Sequence, residues 1–438
     1  GKPRAEAILE VAAAADHLQY HLKNTAAFFK PLKVSMGWMA WKRGFVQREP
    51  LGVVGVISPW NYPFILSLTP VVTALFGGNG VVLKPSEHTP YSGLLVEDLA
   101  RDAGLPEGLV QVVVGRGDTG EALVRGGVDK VFFTGGPSTG RAVLAAAADS
   151  LTPAILELGG KDPAIVLEDA DLKRAARGIV WGAFLNAGQS CVSVERVYVV
   201  EEAYDSFLRE TLNAVRGVRA GSNPEVEVGP MTRKEQLEWV EHQLEEAVNS
   251  GATVVMGGQR TDPASNVLQP TVLTEILPEC SVLREESFGP VLPIVRVRDA
   301  EEAVEKANAL PYGLSASVWT KNQKRGVSIA QRIRAGAVCV NDAIVHFGVP
   351  ALPFGGVGES GFGRSHGLDG LREMTRTRSV LVDRLNLERE PWWFPYSRRT
   401  ERLLRATVLF RLRGGMRGLV AAAMHMLSLI HISEPTRH

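Results

Sequence analysis

The chain has 438 residues, 45% hydrophobic and 22% charged, a globular composition with room for two or three domains. Lys+Arg and Asp+Glu both number 48, so no net field draws nucleic acid or a strongly charged partner, which leaves a small-molecule enzyme or a neutral interaction protein. The three cysteines Cys191, Cys280 and Cys339 are too few for a disulfide framework, no paired Cys/His spacing marks a zinc site, and a reducing cytoplasmic interior suits them.

In chain order, Gly1 is followed at once by the helical stretch "AEAILEVAAAADHL", so some N-terminal residues are expected to be missing. "WKRGFVQREP" (41–50) and the distant "TRTRSVLVDR" (375–384) alternate polar and apolar residues. They are expected to pair as an exposed sheet able to carry subunit contacts, the alternative being two unrelated edge strands. Between them "GVVGVIS", "NGVVLKPS", "LVQVVVG" and "KVFFTGG" alternate with helical runs such as "PVVTALFG" and "STGRAVLAAAADS". The alternation resumes in "RVYVV", "VLPIVRV", "SASVWT" and "GAVCVN", which predicts two α/β domains with parallel sheets meeting near residue 158. From 398 to 417 seven arginines (398, 399, 402, 405, 411, 413 and 417) interleave with leucines and valine. They read as a basic amphipathic helix with weak membrane-surface contact, or as a solvated helix packed on the body. The apolar stretch 419–430 is too short to span a bilayer, and the tail 427–438 has the look of translated adapter sequence.

Five short stretches carry candidate chemistry. "VFFTGGPSTG" runs from a strand through Gly135, Gly136 and Gly140 into a helix, offering backbone amides to a pyrophosphate or merely making a tight turn. "VVLKPSE" ends a strand in Lys84 and Glu87, which could hold a ribose; a carboxylate there would repel a 2′-phosphate and so leans toward NAD, with NADP still possible. In "LELGGKDP", Glu157 sits between leucines on a buried strand, where a charge must be paired or functional. Asn61 of "SPWNYPF" could donate to an oxyanion or cap its turn. Cys191 in "NAGQSCV" is either a buried thiol or a nucleophile among small neighbours.

Taken in order, "SPWNYPF", "VVLKPSE", "FTGGPSTG", "LELGGKDP", "NAGQSCV", "EESFGPV", "NALPYGLSASV" and "PFGGVGESGFGR" resemble the motifs of the aldehyde dehydrogenase superfamily across residues 59–364. The 34 positions from Glu157 to Cys191 are similar to the family spacing of base and nucleophile, and "SLTP" with "GRSHG" lean toward the class 3 and related branches. The resemblance implies an α/β fold with a Rossmann-like cofactor domain (1–158, with 41–50 as an oligomerisation strand) and a second α/β catalytic domain (159–370). A small oligomerisation extension with the basic helix (371–426) completes it.

The resemblance further implies NAD(P)-dependent oxidation of an aldehyde to its acid. Cys191 would attack the carbonyl, Asn61 and the Cys191 backbone N–H would hold the oxyanion, and Glu157 would activate the hydrolytic water. Glu286 and Phe288 of "EESFGP" match contacts to the nicotinamide ribose and ring, and Trp60 is expected to line the cofactor cleft. Ser365 stands where many members have a second glutamate, leaving Glu157 as the one base. A glutamate in "LELGGKDP" favours a free acid over transfer to coenzyme A. The apolar segments "YPFILSLTP" and "DAIVHFGVPAL" (342–352) predict an apolar aliphatic or aromatic aldehyde, with succinate semialdehyde as the alternative. A homodimer or homotetramer is expected, and a catalytically silent scaffold is the reading from another class.

Overall fold

The computed structural model describes residues 1–408 apart from 38, 391, 399, 403, 406 and 407. Within it the chain forms two compact units, one of Gly1–Leu32 with Val46–Arg378 and one of Lys33–Phe45 with the described residues from Ser379 onward. The larger unit contains two sheets.

The first sheet has six strands in the order Gly361–Phe362, Ala154–Glu157, Lys130–Thr134, Val53–Ile57, Gly80–Lys84 and Val110–Val112. All neighbours run parallel except Gly361–Phe362, which lies antiparallel to Ala154–Glu157. Two-residue alternation explains why "VFF" at 131–133 is apolar throughout. Val131 and Phe133 pack with Val124 and Val143 on one face, while Phe132 packs with Val56, Val71 and Leu83 on the other. Helices therefore cover both faces, among them Ile65–Phe76 and Pro137–Ala148.

The second sheet has seven strands in the order Thr253–Met256, Thr271–Thr274, Val291–Val297, Val194–Val200, Asp162–Val166, Ser315–Trp319 and Ala337–Val340. All pairs are parallel except the first. Against it lies the helix Leu172–Phe184, capped by Asp171, whose carboxylate accepts from the Arg174 N–H at 3.1 Å. The 25-residue N-terminal helix Arg4–Phe28 turns Glu6, Glu10, His17 and His21 inward.

A three-stranded sheet joins Leu32–Val34, Lys42–Pro50 and Thr375–Asp383, so the two polar alternating stretches are neighbours as expected. In the smaller unit the buried Lys42 ammonium bonds Asp383 at 3.0 Å and also pairs with Glu390.

The expected division differs from the structure in two places. Residues 361–362 fall in the stretch assigned to the second domain yet extend the first sheet, a two-residue strand too short to read in a glycine-rich run. Gly361 makes it possible: its φ is +107°, and a Cβ there would stand 1.9 Å from the Leu156 carbonyl oxygen. The smaller unit comprises Lys33–Phe45 and the described residues from Ser379 onward, so the expected strand 41–50 and the expected extension from 371 each contribute to both units. Most of the expected basic helix, and the whole tail 427–438, lie outside the described residues. Among the described residues no helix is long and apolar enough to cross a membrane.

Candidate active site

The loop bearing Cys191 leaves the helix Leu172–Phe184 through a short turn, Leu185–Gly188, in which three successive residues are left-handed: Asn186 (φ 55°), Ala187 (φ 56°) and Gly188 (φ 71°). For Asn186 and Ala187 this conformation costs on the order of 1–2 kcal/mol each, so tertiary bonds must impose it. The Asn186 side-chain amide donates to the Asn61 carbonyl at 2.9 Å and the Gln189 carbonyl at 3.1 Å, and the Gln189 amide donates back to Asn186 at 2.9 Å. The Thr232 N–H donates to Gln189 Oε1 at 2.9 Å. Gly188 is required because a Cβ would stand 2.1 Å from the Gly289 carbonyl oxygen. Asn61, buried at the N-terminal approach to Ile65–Phe76, donates one N–H of its side chain to the Gln189 carbonyl at 3.0 Å. Asn61 and the Cys191 loop thus hold one another.

Cys191 is partly exposed and separates two spaces. On one side lies an apolar tunnel of about 310 Å³, lined by Tyr62, Ile65, Leu66, Trp181, Val345 and Phe347 among others. On the other lies an enclosed cavity of about 30 Å³ that Glu157, Ser365 and Arg364 also line. That is room for about two waters, at roughly 10–15 Å³ each. Glu157 Oε1 accepts from the Ser365 hydroxyl at 3.1 Å, while Oε2 is buried without a partner. Burial raises its carboxyl to about 8, against the opposing pull of the Ser365 hydroxyl and the Arg364 charge. Burial also pushes the Cys191 thiol well up, and Glu286, Asp162 and Glu157 add to this in that order. Both groups are therefore mostly protonated at neutral pH in the absence of ligands.

A third space, about 770 Å³, opens at the C-terminal ends of Val53–Ile57, Gly80–Lys84 and Lys130–Thr134, where doubly wound sheets hold their ligands. Trp60, Lys84, Glu87 and Gly135 line it, as expected, and Lys84 Nζ lies 3.4 Å from Glu87 Oε2. Two glycine expectations need correction. The Gly135 amide is spent on the Glu157 carbonyl at 3.0 Å, so it cannot also serve a pyrophosphate. Gly140 serves packing: a Cβ would meet Leu158 Cδ2 at 2.8 Å, and its amide donates to Gly136 at 3.0 Å. Gly136, at the N-cap of Pro137–Ala148, has open space around it and lines the cleft.

Phe288, at φ 52°, sets its ring edge-on to Trp60 with centroids 5.5 Å apart. Its conformation is held by the buried Glu195, whose carboxylate accepts from the Ser287 and Phe288 N–H groups at 2.8 and 3.0 Å and from Lys161 Nζ at 2.5 Å. Glu286 turns the other way and accepts from the Gly160 N–H at 3.1 Å; burial raises its carboxyl to about 8. Gly159 and Gly160 admit this approach, since side chains there would meet Glu286 Oε2 at 2.4 Å and the Cys191 carbonyl at 2.8 Å. Glu195 and Lys161 went unread in the sequence, although a glutamate in the apolar run "VERVYVV" carries the same signal that singled out Glu157. Ser365 was noted for what it replaces, not for its bond to Glu157.

The geometry can be set beside known proteins. The model of the aldehyde dehydrogenase family matches residues 1–380. A 4,4'-diapolycopene aldehyde oxidase from Methylomonas sp is 44% identical over 400 residues, covering 91% of this chain and 75% of that protein. A Mycobacterium tuberculosis protein provisionally named a succinate-semialdehyde dehydrogenase using NADP+ is 38% identical over 389 residues, covering 88% of this chain and 75% of its own length. The crystal structure of an NAD-dependent aldehyde dehydrogenase from Sinorhizobium meliloti is similar at a TM-score of 0.85 and 38% identity, covering 90% of this chain and 78% of the other.

Proposed function

The chain belongs to the aldehyde dehydrogenase family, and from that premise we propose that Cys191 is its nucleophile, Asn61 its oxyanion donor and Glu157 its hydrolytic base. The protein is an oxidoreductase that oxidises aldehydes with NAD(P)+. The observation that carries the residue roles is the position of Cys191 between an apolar tunnel and the enclosed cavity that holds Glu157.

Cys191, having lost its proton, adds to the aldehyde carbonyl, and the oxygen becomes an alkoxide beside the Asn61 side-chain amide and the backbone N–H of Cys191. NAD(P)+, when bound in the cleft, supplies the hydride acceptor. Trp60 and Phe288 would flank its ring, Lys84 and Glu87 its ribose, and the open surface at Gly136 admits backbone close to it. Glu286, near Gly159 and Gly160, would face the nicotinamide side. A thioester on Cys191 remains. Glu157 removes a proton from a cavity water, the hydroxide adds to the thioester carbon, the C–S bond breaks and the acid leaves. The Glu87 carboxylate leans the cleft toward NAD over NADP.

The tunnel supports an apolar aldehyde over succinate semialdehyde. Among the described residues its charged lining groups are the acidic Glu6 and Glu10, and the nearby Lys2 ammonium, 4.0 Å from the Tyr62 ring centroid, is already paired with Glu10. Glu10 accepts from the Phe64 and Ile65 N–H groups at 2.9 and 3.1 Å, and burial raises the Glu6 carboxyl to about 7. The test is steady-state kinetics on an aldehyde series with NAD+ and NADP+. Hexanal is expected to exceed succinate semialdehyde in kcat/KM; a tenfold advantage for succinate semialdehyde would refute the substrate reading. Full aldehyde oxidation by Cys191→Ala would refute the nucleophile assignment.

We further assign the six-stranded sheet to cofactor binding and the seven-stranded sheet to the catalytic side. The exposed three-stranded sheet suits assembly into a homodimer or homotetramer, which light scattering would count. Free cysteines suit a cytoplasmic setting.

A further inference from the structure

The N-terminal helix Arg4–Phe28 turns inward residues that packing alone would turn outward. Glu6 and Glu10 are 9% and 8% exposed, whereas Ile8, Leu9 and Val11 are more than half exposed. Four residues apart, the two glutamates share the helix face that meets the active-site loops. Glu6 Oε1 accepts from the Asn186 N–H at 3.0 Å, in the left-handed turn that leads to Cys191. Glu10 Oε1 accepts from the Phe64 and Ile65 N–H groups at 2.9 and 3.1 Å, three and four residues beyond Asn61. Those amides open the helix Ile65–Phe76, whose N-cap is Phe64, a residue with no polar side chain. A carboxylate from another helix therefore satisfies two of its orphan amides and complements its dipole. Each glutamate thus grips the backbone of one of two loops that already bond each other, Asn61 to the Gln189 carbonyl and Asn186 to the Asn61 carbonyl.

The chemistry above needs the Cys191 sulfur and the Asn61 amide on one carbonyl group, where a misplacement of about 1 Å can cost about 100-fold in rate. Building on the assignment of Cys191 as nucleophile and Asn61 as oxyanion donor, we propose that Glu6 and Glu10 are positioning residues, a two-point clamp through which one helix sets the distance between the nucleophile turn and the oxyanion loop. Residues four apart stand about 6 Å apart along a helix axis, and that fixed rise is the ruler. The clamp is noncovalent, and neither proton nor electron moves in it.

The useful group is the acceptor oxygen. Burial raises the Glu6 carboxyl to about 7, against the opposing pull of the Asn186 N–H and the Lys2 charge, and either protonation state leaves an oxygen for Asn186. Among the described residues Glu6 Oε2 is buried without a partner, so the carboxyl is held against a desolvation cost that an apolar side chain would avoid. Glu10 has its charge balanced by Lys2. Both glutamates also line the tunnel beside Tyr62 and Leu66, so the helix face that receives the aldehyde is the face that holds the two loops.

The test is the pre-steady-state burst of reduced cofactor from the full chain with hexanal, beside alkylation of Cys191 by iodoacetamide, which needs a thiolate but no oxyanion donor. Glu6→Met fills the space and removes the acceptor, whereas Glu6→Gln keeps a carbonyl oxygen for Asn186. The clamp requires a burst slowed at least tenfold in Glu6→Met and within threefold of wild type in Glu6→Gln, with alkylation within threefold in both. It also requires Glu6→Met to add less than threefold to the loss caused by Asn61→Ala, because the spacing ceases to matter once that amide is gone. A wild-type burst in Glu6→Met overturns the clamp. So does a Glu6→Gln burst as slow as that of Glu6→Met, which would make the proton the useful part, and so do parallel losses of burst and alkylation, which would report a disturbed thiol. Glu10→Met and Glu10→Gln carry the same comparison if Glu6→Met does not fold. Asn61→Ala separates the two readings: a normal burst there removes the oxyanion donor itself, whereas a slow one with a normal Glu6→Met removes only the clamp.

Discussion

Glu157 offers a measurement in which activity and stability must move together. Raising its carboxyl from 4.5 to about 8 corresponds to about 5 kcal/mol of penalty on the ionised form, an upper figure for a side chain this buried. The sign follows from where each state holds its proton. Below pH 4.5 folded and unfolded chains are both protonated at this site, and its full contribution to stability is present. As pH rises the unfolded chain ionises first, and the contribution falls by about 1.4 kcal/mol per pH unit until it is lost near pH 8. Over the same range the base becomes available: about a tenth is ionised at pH 7, so acyl-enzyme hydrolysis should rise about tenfold by pH 9. Glu157→Gln should lose about 10²–10⁴-fold in hydrolysis, keep its burst, and lack the wild-type fall in stability between pH 5 and 8. Urea unfolding and quenched-flow hydrolysis at matched pH read both. Hydrolysis independent of pH from 6 to 9, with parallel stability curves for the two proteins, would refute the reasoning.

Two further substitutions probe the scaffold. Gly188→Ala puts a methyl group against the Gly289 backbone at positive φ, and should cost about 2 kcal/mol or more in unfolding experiments while abolishing the burst; a wild-type burst would show that the turn does not set Cys191. Glu195→Ala leaves the Lys161 ammonium buried without its carboxylate and frees the Ser287 and Phe288 amides, for an expected loss of about 3–5 kcal/mol and a raised KM for NAD+. A changed stability with an unaltered cofactor KM would mean that Phe288 does not depend on this carboxylate.

Much of the molecule was legible in its residues. The apolar runs alternating with helical ones determined two parallel sheets, because strands covered on both faces are apolar on both, as "VFF" at 131–133 is. Cys191, Glu157 and Asn61 stood out because polar or reactive groups in apolar or small-residue settings need a reason. The glycines were read less well. "GGPSTG" shows glycine but not which atom would occupy the missing Cβ, so Gly140, fitted against Leu158, was taken for a cofactor contact. Nor does spacing reveal that Gly361–Phe362 crosses back to the first sheet, or that Ser365 donates to a glutamate 208 residues earlier. His17 and His366 are unremarkable in the sequence, and only packing between distant segments brings their rings 4.1 Å apart, with His366 lining the Glu157 cavity. Local pattern thus determined the elements, and it offered Cys191, Glu157 and Asn61 as candidates that only the ordered motifs singled out. Which groups share a cavity, and how burial tunes them, was decided by contacts distant in sequence, because desolvation and pairing depend on every atom brought within a few ångströms.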